Sequence, residues 1–358
     1  MPKNKEGTLL IIHDPISPSN RSSHNQDVRR YSYTCAIKSH SRVIHSKSYE
    51  ETVVTSKLLR KICDGLKIFH SSFRTAMKAT VLQRRYKVTV FNPNEDLVSF
   101  TTLLIIRKIL GQEWRLISRF ICTRDRRLAD TRPDDLKQFQ NLLKFATSPK
   151  DKFSAETIEY ANHLSKLFNL AVTHVPYPPI DLDTSYKSTL SRKIIVVVPG
   201  AARMDKGFTE LPNLINKLHH LDIEFDFLIQ RAQKDWPGYR EALEELEKHS
   251  NVKILPSYIP NEELTEILRN SNLILLPYLQ TMYAFRGSAF ARRGMYLGKT
   301  ILASEGTTMA NDAELLGFSA PIDAAHSLKS VYENSFENYQ KGRVLAKNAE
   351  QIWILALK

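Results

Sequence analysis

The sequence has little cysteine: its 358 residues include only Cys35, Cys63 and Cys122. The three lie far apart, and none belongs to a Cys-x-x-Cys or Cys/His pair with the spacing of a metal site. An odd number of scattered cysteines argues against a disulfide framework and against a structural zinc site. We therefore expect a protein of a reducing compartment, the cytoplasm.

Long hydrophobic runs are also missing. Stretches such as TTLLII (101–106) and IIVVV (194–198) fall well short of the roughly 20 apolar residues that a membrane-spanning helix needs. The N-terminal run LLII (9–12) is too short for the core of a signal peptide. With 42% hydrophobic and 9% aromatic residues, the composition predicts a soluble globular protein, and the length predicts two domains.

Acidic residues are scarce in the first half only. Residues 1–185 hold 30 of the 51 lysines and arginines but 18 of the 38 aspartates and glutamates, so this half carries almost all of the net charge of +13. Such an imbalance indicates an anionic partner: a phosphorylated substrate, an anionic membrane surface or a nucleic acid. A basic, solvated face without a specific partner is the alternative. The basic clusters contain no nucleic-acid-reading motif and no interleaved aromatic residues, so no nucleic acid is expected.

Strand and helix patterns alternate through the second half. Strands are predicted at 193–200, 224–230, 251–257, 272–278 and 299–304, with helices at 208–221, 238–250, 261–271 and 288–297 between them. This alternation predicts a parallel sheet with helices on both faces, which binds ligands at the carboxyl ends of its strands. The first half is less regular, with strands predicted at 8–14, 86–92 and 114–124 and helices at 96–111 and 155–168.

One segment separates the two halves. Residues 176–192 are rich in Pro, Ser and Thr and have no periodicity, which is typical of a linker. We place the linker at 181–192, between a first domain at 1–180 and a second at 193–335, with a closing helix at 336–358.

The stretch PGAARMDKGF (199–208) follows the first strand of the second sheet. Gly200 permits close backbone approach, Arg203 and Lys206 are two cations three residues apart, and a helix is expected to begin near Phe208. A helix N-terminus attracts anions, so this loop is predicted to hold a diphosphate. Two solvated surface cations are the alternative interpretation.

A second stretch of the same kind is RGSAFARRGMYL (286–297). Ser288 is the expected N-cap of a helix, and the amides of Gly287, Ser288 and Ala289 together with the Arg286 guanidinium predict a second anion site. Arg293 lies further along the same helix. The alternative is an ordinary capped helix whose arginines face water.

The stretch LASEGTTMAND (302–312) follows the last predicted strand and adds a carboxylate to this edge. Glu305 is expected to accept a hydrogen bond from a sugar or ribose hydroxyl. A plain loop in which Thr308 or Asn311 caps the next helix is the alternative.

These stretches resemble the nucleotide-binding domain of GT-B glycosyltransferases, particularly those of family 4. The run G-x-x-R-x-D-K-G-F (200–208) is similar to the family's R-x-x-x-E-K-G loop, with Lys206 on its diphosphate-binding lysine. One branch of the family has the pattern LLPY…Y-x-x-R-S-S-G-x-F…G-K-P. This sequence resembles it with LLPY…Y-x-x-R-G-S-x-F…L-G-K-T, in which the part Y-x-x-R begins at Tyr283. The resemblance covers residues 193 to about 312. It implies an α/β protein of two Rossmann-like domains that face a central cleft, with a nucleotide-sugar donor in the second and an acceptor in the first.

The most serious departures from this family concern its two usual glutamates. Its E-x7-E glutamates fall on Phe285 and Arg293, and an arginine cannot accept the hydrogen bond through which the second glutamate commonly binds the ribose. Two interpretations stay open. Either Arg286, the amides of residues 287–289 and Arg293 hold the donor diphosphate while Glu305 binds the ribose, or the donor site has decayed and the fold is a binding module.

In the GT-B arrangement the loop after the first strand of the first domain faces the cleft. Here the loop is expected to span residues 13–30, a polar stretch that includes His13, Asp14 and His24. We expect Asp14 or His24 to assist deprotonation of an acceptor hydroxyl, with a merely solvated loop as the alternative. Another predicted strand end, at 122–132, carries arginines expected to bind an anionic acceptor: Arg124, Arg126 and Arg127.

The resemblance implies transfer of a sugar from a nucleotide-sugar to a glycan or lipid-linked acceptor, in surface polysaccharide or glycolipid biosynthesis at the inner membrane face. The basic first half adds an expected peripheral contact with an anionic membrane. The resemblance also implies a metal-independent, retaining transferase without a cofactor, because GT-B enzymes generally stabilise the departing nucleoside diphosphate with cationic side chains and helix dipoles. A catalytically degenerate protein that binds a glycan or a partner protein is the alternative.

Overall fold

The chain folds into two compact units. The structure, a computed structural model, describes residues 7–13, 23–38, 40, 42–46, 57–93, 97–122, 133–180, 193–219, 224–319 and 335–358. One unit comprises Met1–Pro178 with Ala349–Lys358, and the other comprises Pro179–Asn348. Each unit is built around one parallel β-sheet, so the α/β architecture predicted from the sequence is confirmed.

The first unit contains a six-stranded parallel sheet. Its strands are β1 (Thr8–Ile12), β2 (Arg42–His45), β3 (Lys87–Asn92), β4 (Arg115–Phe120), β5 (Lys152–Ala155) and β6 (Val172–His174). The order is β2-β1-β3-β4-β5-β6, and it reverses between β1 and β3. Among the described residues of this unit, five helices accompany the sheet: α1 (Ser23–Ile37), α2 (Lys57–Leu82), α3 (Leu97–Ile109), α4 (Pro133–Ala146) and α5 (Ile158–Phe168). Consecutive residues of β1 from Leu9 to Ile12 are all buried, as expected for a parallel sheet covered on both faces.

The second unit contains a five-stranded parallel sheet. Its strands are β7 (Ile194–Val198), β8 (Phe225–Gln230), β9 (Val252–Leu255), β10 (Leu273–Leu276) and β11 (Thr300–Ala303), in the order β11-β10-β7-β8-β9. The helices are α6 (Leu211–His219), α7 (Tyr239–Glu247), α8 (Asn261–Asn270), α9 (Gln280–Tyr283), α10 (Ala289–Tyr296) and α11 (Thr308–Leu315). The strand order reverses between β7 and β10, and ligands of open α/β sheets bind at such a reversal.

Helix α12 (Ser335–Leu357) has residues in both units, because the division falls after Asn348. In the first unit its Trp353 is buried, and the indole N–H donates a hydrogen bond to the Pro176 carbonyl at 3.0 Å. The Trp353 ring also meets Tyr31 and Phe91 edge to face. Among the residues that the structure describes, no helix combines the length and the apolar character needed to cross a membrane.

The structure contains all five strands predicted in the second half, each slightly shorter than expected. Three local predictions are wrong. Residues 13–30 are not one loop, since α1 begins at Ser23 and buries a face too polar to show hydrophobic periodicity. The helix expected near Phe208 begins at Leu211, after two 3-10 turns at Met204–Lys206 and Phe208–Glu210. The helix expected from residue 155 begins at Ile158, where the Thr157 hydroxyl caps it. The predicted linker at 181–192 lies outside the described residues.

A buried ion pair joins several elements of the first unit. The Arg107 guanidinium on α3 donates two hydrogen bonds to the Asp151 carboxylate, at 2.5 and 2.6 Å, and both side chains are at most 3% exposed. Arg107 also donates to the carbonyls of Trp114 and Ala146. Asp151 in turn accepts from the backbone N–H groups of Leu116 and Ser148. The pair therefore ties α3 to the start of β4, the end of α4 and the turn before β5.

We predict that Asp151→Asn destabilises the protein by about 3–5 kcal/mol, because it leaves the Arg107 charge buried without compensation. Urea unfolding of the full chain measures this change. The matched control is Glu113→Gln, which removes an exposed pair with Lys150 at 3.9 Å and should change stability by less than about 1 kcal/mol. Equal effects of the two substitutions would contradict the structural role of the buried pair.

Candidate functional site

Two loops meet where the strand order of the second sheet reverses. Residues 199–207 follow β7, and residues 277–288 follow β10. The Leu279 N–H donates to the Asp205 carbonyl at 3.1 Å. Gly207 has φ +66°, and a Cβ at this position would lie 1.8 Å from the Pro277 carbonyl oxygen. Only glycine fits there, and the missing side chain allows the two loops to lie against each other.

Lys206 occupies a cage above Gly200. Its Nζ lies 5.5 Å from the ring centroids of Tyr278 and Phe290. A Cβ on Gly200 would lie 2.3 Å from this Nζ and 2.7 Å from the Phe290 ring, so the cage exists because residue 200 has no side chain. In the part of the chain that the structure describes, no carboxylate lies within ion-pair distance of Lys206. Burial, followed by repulsion from Arg203, lowers the pKa of Lys206 to about 7.

Two arginines share one carboxylate beside this cage. Arg203 donates to both oxygens of Asp205, at 2.8 and 2.5 Å, and to the Tyr283 hydroxyl at 3.2 Å. Arg286 lies 3.8 Å from the same carboxylate and stacks over the Tyr283 ring, with its guanidinium carbon 5.1 Å from the centroid. Burial opposes ionisation of Asp205, but the hydrogen bonds from Arg203 outweigh burial and hold its pKa below the usual range.

We call Arg203, Lys206 and Arg286 the cation cluster. Its three positive charges face a single carboxylate, Asp205, so the cluster carries a net charge of about +2 whenever Lys206 is protonated. A partly buried excess of positive charge is stabilised by an anion with several oxygen atoms, and Arg286 can bind such a group through two N–H donors.

Helix α10 begins next to the cluster. Ser288 is its N-cap, as predicted, and the Ser288 hydroxyl accepts a hydrogen bond from the Ala291 N–H at 3.5 Å. The first amides of a helix have no intrahelical acceptor, so those at Ala289 and Phe290 add to the attraction for an anion. The predicted residues Gly287, Ser288 and Ala289 therefore lie directly between Arg286 and Phe290 of the Lys206 cage.

The arginines within α10 have different surroundings. Arg292 is buried in an ion pair with Asp312 at 2.7 Å, which ties α10 to α11. Arg293 is also buried, and its guanidinium donates a hydrogen bond to the Thr265 hydroxyl of α8. The described contacts thus join Arg293 to α8 and do not connect it to the cation cluster.

Glu305 is exposed in the loop that follows β11. This loop adjoins the site: the Thr308 hydroxyl donates to the Arg286 carbonyl at 2.6 Å, and a Cβ on Gly306 would lie 2.2 Å from the Gln280 side chain. Thr307 caps α11, and neither Thr308 nor Asn311 does so. Glu305 makes no hydrogen bond to the cation cluster within the described part of the chain.

Sequence reasoning missed Asp205, Tyr278 and Phe290. Asp205 lies between the two predicted cations of the first loop, and its position in a 3-10 turn directs its carboxylate to Arg203. Tyr278 stands two residues after the end of β10, and Phe290 lies in the first turn of α10. The sequence contained one indication of their role: both lie close to predicted cations at strand ends, and aromatic faces attract ammonium groups.

The corresponding reversal in the first sheet contains His13, the residue after β1. His13 is fully buried and hydrogen-bonded to hydroxyl groups of Ser46, Ser72 and Thr75, at 3.3, 3.1 and 3.0 Å. Burial lowers the pKa of His13 to about 3, so its imidazole stays neutral at physiological pH. His13 is therefore a structural residue of the sheet edge.

The other residues predicted on the acceptor side lie beyond what the structure describes. Asp14, Arg124, Arg126 and Arg127 belong to undescribed segments. For His24 the structure gives a position in the first turn of α1 and no side-chain surroundings. Their assignment stays a prediction.

Comparison with protein-family models and with curated proteins finds no match for this chain. Solved structures are similar over almost the whole chain. A glycosyltransferase from Rickettsia africae ESF-5 has a TM-score of 0.60 at 13% identity, covering 99% of this chain and 95% of that chain. HepE from Anabaena, in complex with UDP and glucose, has a TM-score of 0.55 at 11% identity, with 98% and 97% covered.

A third similar structure is an α,α-trehalose-phosphate synthase (UDP-forming) from Burkholderia xenovorans in complex with glucose-6-phosphate. Its TM-score is 0.57 at 12% identity, covering 98% of this chain and all of that chain. The chain has the GT-B fold. The two Rossmann-like domains predicted from the sequence are thereby confirmed, and at these identities the similarity is one of fold.

We predict that Lys206→Met raises the stability of the ligand-free protein, because it removes a partly buried ammonium whose neighbouring carboxylate, Asp205, is already paired with Arg203. A gain of about 1 kcal/mol corresponds to roughly 2–4 °C in unfolding temperature for a domain of this size. Thermal unfolding at pH 7 measures the shift.

Lys248→Met is the control, since Lys248 is exposed and pairs with Glu245. A fall in unfolding temperature for Lys206→Met would show that the aromatic cage stabilises the free ammonium and would contradict this prediction.

Proposed function

We propose that this protein is a glycosyltransferase that binds a nucleotide-sugar donor in its second unit. The cation cluster at the reversal of the strand order carries the proposal. Three cations and one carboxylate lie at the carboxyl edge of the sheet, beside the N-terminus of α10. A nucleoside diphosphate supplies the negative charge that this arrangement lacks.

The same residues suit the chemistry of sugar transfer. The bond between the anomeric carbon and the diphosphate oxygen breaks, the acceptor oxygen bonds to that carbon, the acceptor hydroxyl loses its proton, and the nucleoside diphosphate leaves with added negative charge. Arg286, Lys206 and the first amides of α10 are placed to stabilise that charge. Cationic side chains can take this role without a metal ion, so metal independence is part of the proposal. Retention at the anomeric carbon is proposed from the sequence resemblance.

The donor is proposed to carry uridine, because HepE was solved with UDP and glucose and the Burkholderia enzyme is UDP-forming. Glu305 is the proposed ribose contact, since it is an exposed carboxylate in the loop bonded to Arg286 through Thr308. Arg293 is proposed to bind the donor diphosphate as well. This requires that its guanidinium give up the hydrogen bond to the Thr265 hydroxyl.

The proposed acceptor is a glycan or a lipid-linked sugar, as in surface polysaccharide or glycolipid synthesis on the cytoplasmic side of a membrane. The basic charge of residues 1–185 supports an anionic acceptor. Asp14 and His24 stay the proposed bases, and Arg124, Arg126 and Arg127 the proposed contacts of that acceptor.

A second candidate function is a GT-B module that binds a donor or a glycan without transferring sugar. Two observations favour it. Phe285 is 40% exposed where a carboxylate is usual in the resembling family, and Arg293 is buried against Thr265 and cannot accept a hydrogen bond.

We predict that UDP or a UDP-sugar stabilises the protein and that Arg286→Ala abolishes this effect. A ligand at a hundredfold excess over its Kd adds about 2.7 kcal/mol to the free energy of unfolding, which a thermal-shift titration detects easily. The panel contains UDP, GDP, ADP and their common sugar conjugates, and release of the nucleoside diphosphate is followed in parallel with oligosaccharide and lipid-linked acceptors.

Arg240→Ala is the matched control, because Arg240 is exposed, pairs with Asp235 and lies outside the site. Stabilisation with release of nucleoside diphosphate supports the transferase. Stabilisation without any release supports the binding module. No stabilisation of the folded protein by any nucleotide would contradict the transferase and would leave only a module that binds a glycan.

A further inference from the structure

Helix α2 carries its large apolar side chains on the outside of the first unit. Five of them follow one another at helical spacing and are strongly exposed: Leu66 (64%), Phe69 (49%), Phe73 (42%), Met77 (36%) and Val81 (61%). Residues three or four positions apart lie on the same face of a helix. Together they form a continuous stripe, which we call the outer face of α2.

The buried face of the same helix consists of small residues. Ser71, Ser72, Thr75, Ala76 and Ala79 are each at most 3% exposed. Hydroxyl groups of this face are hydrogen-bonded, for example to the imidazole of His13. The usual pattern of a surface helix, with large apolar residues inside and polar residues outside, is thus reversed in α2.

Positive charge accompanies the outer face. No aspartate or glutamate occurs between Gly65 and Tyr86, whereas this stretch contains five lysines and arginines: Lys67, Arg74, Lys78, Arg84 and Arg85. Lys87 follows just after it. Arg74 and Lys78 are exposed and lie one position beyond Phe73 and Met77, so they form a basic stripe directly beside the apolar one.

Helix α3, which packs against α2, carries two further exposed apolar side chains, Ile109 at 75% and Val98 at 40%. A stripe of exposed apolar side chains such as the outer face of α2 commonly marks a binding site for a protein or a membrane.

We propose that the outer face of α2 docks on an anionic lipid surface. Long apolar side chains next to a row of lysines and arginines, with no acidic residue between them, match the composition of helices that lie in the membrane interface. Phe69, Phe73 and Met77 enter the region below the headgroups, and Arg74 and Lys78 bind lipid phosphates. A protein partner would need an apolar groove bordered by acids, whereas an anionic bilayer supplies both components over its whole area.

This inference concerns the first unit and does not depend on the donor site. If both proposals hold, docking through α2 brings the first unit to the surface where a lipid-linked acceptor resides.

Flotation of the full-length protein with vesicles tests the inference. The vesicles consist of phosphatidylcholine alone, or of phosphatidylcholine with about one third phosphatidylglycerol. We expect binding to the anionic vesicles only, weakened by salt. The double variant Phe69→Ser/Phe73→Ser should lower the affinity about tenfold or more, and Arg74→Gln/Lys78→Gln should lower it by about fivefold for each charge removed.

Matched controls are available on exposed positions elsewhere. Tyr258→Ser and Leu315→Ser remove side chains that are 74% and 69% exposed, and Lys234→Gln/Lys253→Gln removes two exposed charges. None of these should change vesicle binding. All substituted positions are exposed, so the fold should survive, which circular dichroism and unfolding temperature verify.

Three results would overturn the proposal. One is the absence of binding to anionic vesicles by the folded wild-type protein. Another is equal binding by wild type and the Phe69/Phe73 variant. The third is a concentration-dependent dimer in sedimentation that this variant dissociates, since that would assign the outer face of α2 to a second copy of the chain.

Discussion

The Lys206 ammonium lies where a side chain at residue 200 would lie, and the arrangement of the proposed donor site depends on that overlap. Because Gly200 has no Cβ, Lys206 reaches between the rings of Tyr278 and Phe290, and Phe290 can start α10 immediately above it. The cost is electrostatic, since the described residues give this ammonium no ion pair of its own: the neighbouring Asp205 carboxylate pairs with the two arginines of the cation cluster. Stability and function are therefore opposed at this position: the charge that destabilises the free protein is the one that attracts an anion.

In the first unit, helix α2 has an unusual distribution of buried and exposed side chains. The neutral imidazole of His13 at the end of β1 is surrounded by hydroxyl groups, two of which come from α2. Those small polar residues occupy the inner face of α2, and its large apolar residues consequently face outward. Within the described residues, each unit has one unbalanced feature. In the second unit Arg203 and Arg286 share a single carboxylate, and in the first unit the apolar outer face of α2 is exposed. We propose an anionic ligand for the two arginines and an anionic lipid surface for the outer face of α2.

The sequence predicted the second sheet well because its strands are short apolar runs separated by amphipathic helices. It also predicted that Arg203, Lys206 and Arg286 lie together, since all three follow strands whose carboxyl ends share one edge. It did not predict α2, although the apolar residues from Leu66 to Val81 recur at helical spacing, because that period lies on the exposed face and the buried face consists of Ser, Thr and Ala. Nor did it predict the roles of Asp205 and Phe290, because these depend on a 3-10 turn and on the approach of two loops distant in sequence.

Calorimetric titration of UDP into the protein at pH 8, in two buffers with different heats of ionisation, tests the central claim most directly. The groups that face Lys206 are Arg203, Arg286, Asp205 and Tyr278. Burial raises the pKa of Tyr278, and the hydrogen bonds from Arg203 outweigh burial and lower the pKa of Asp205. Free Lys206, with a pKa of about 7, is mostly neutral at pH 8. A bound diphosphate favours the ammonium and raises this pKa, so binding should take up close to one proton in wild type and none in Lys206→Met. UDP binding without proton uptake, or with the same uptake in the variant, would contradict the account.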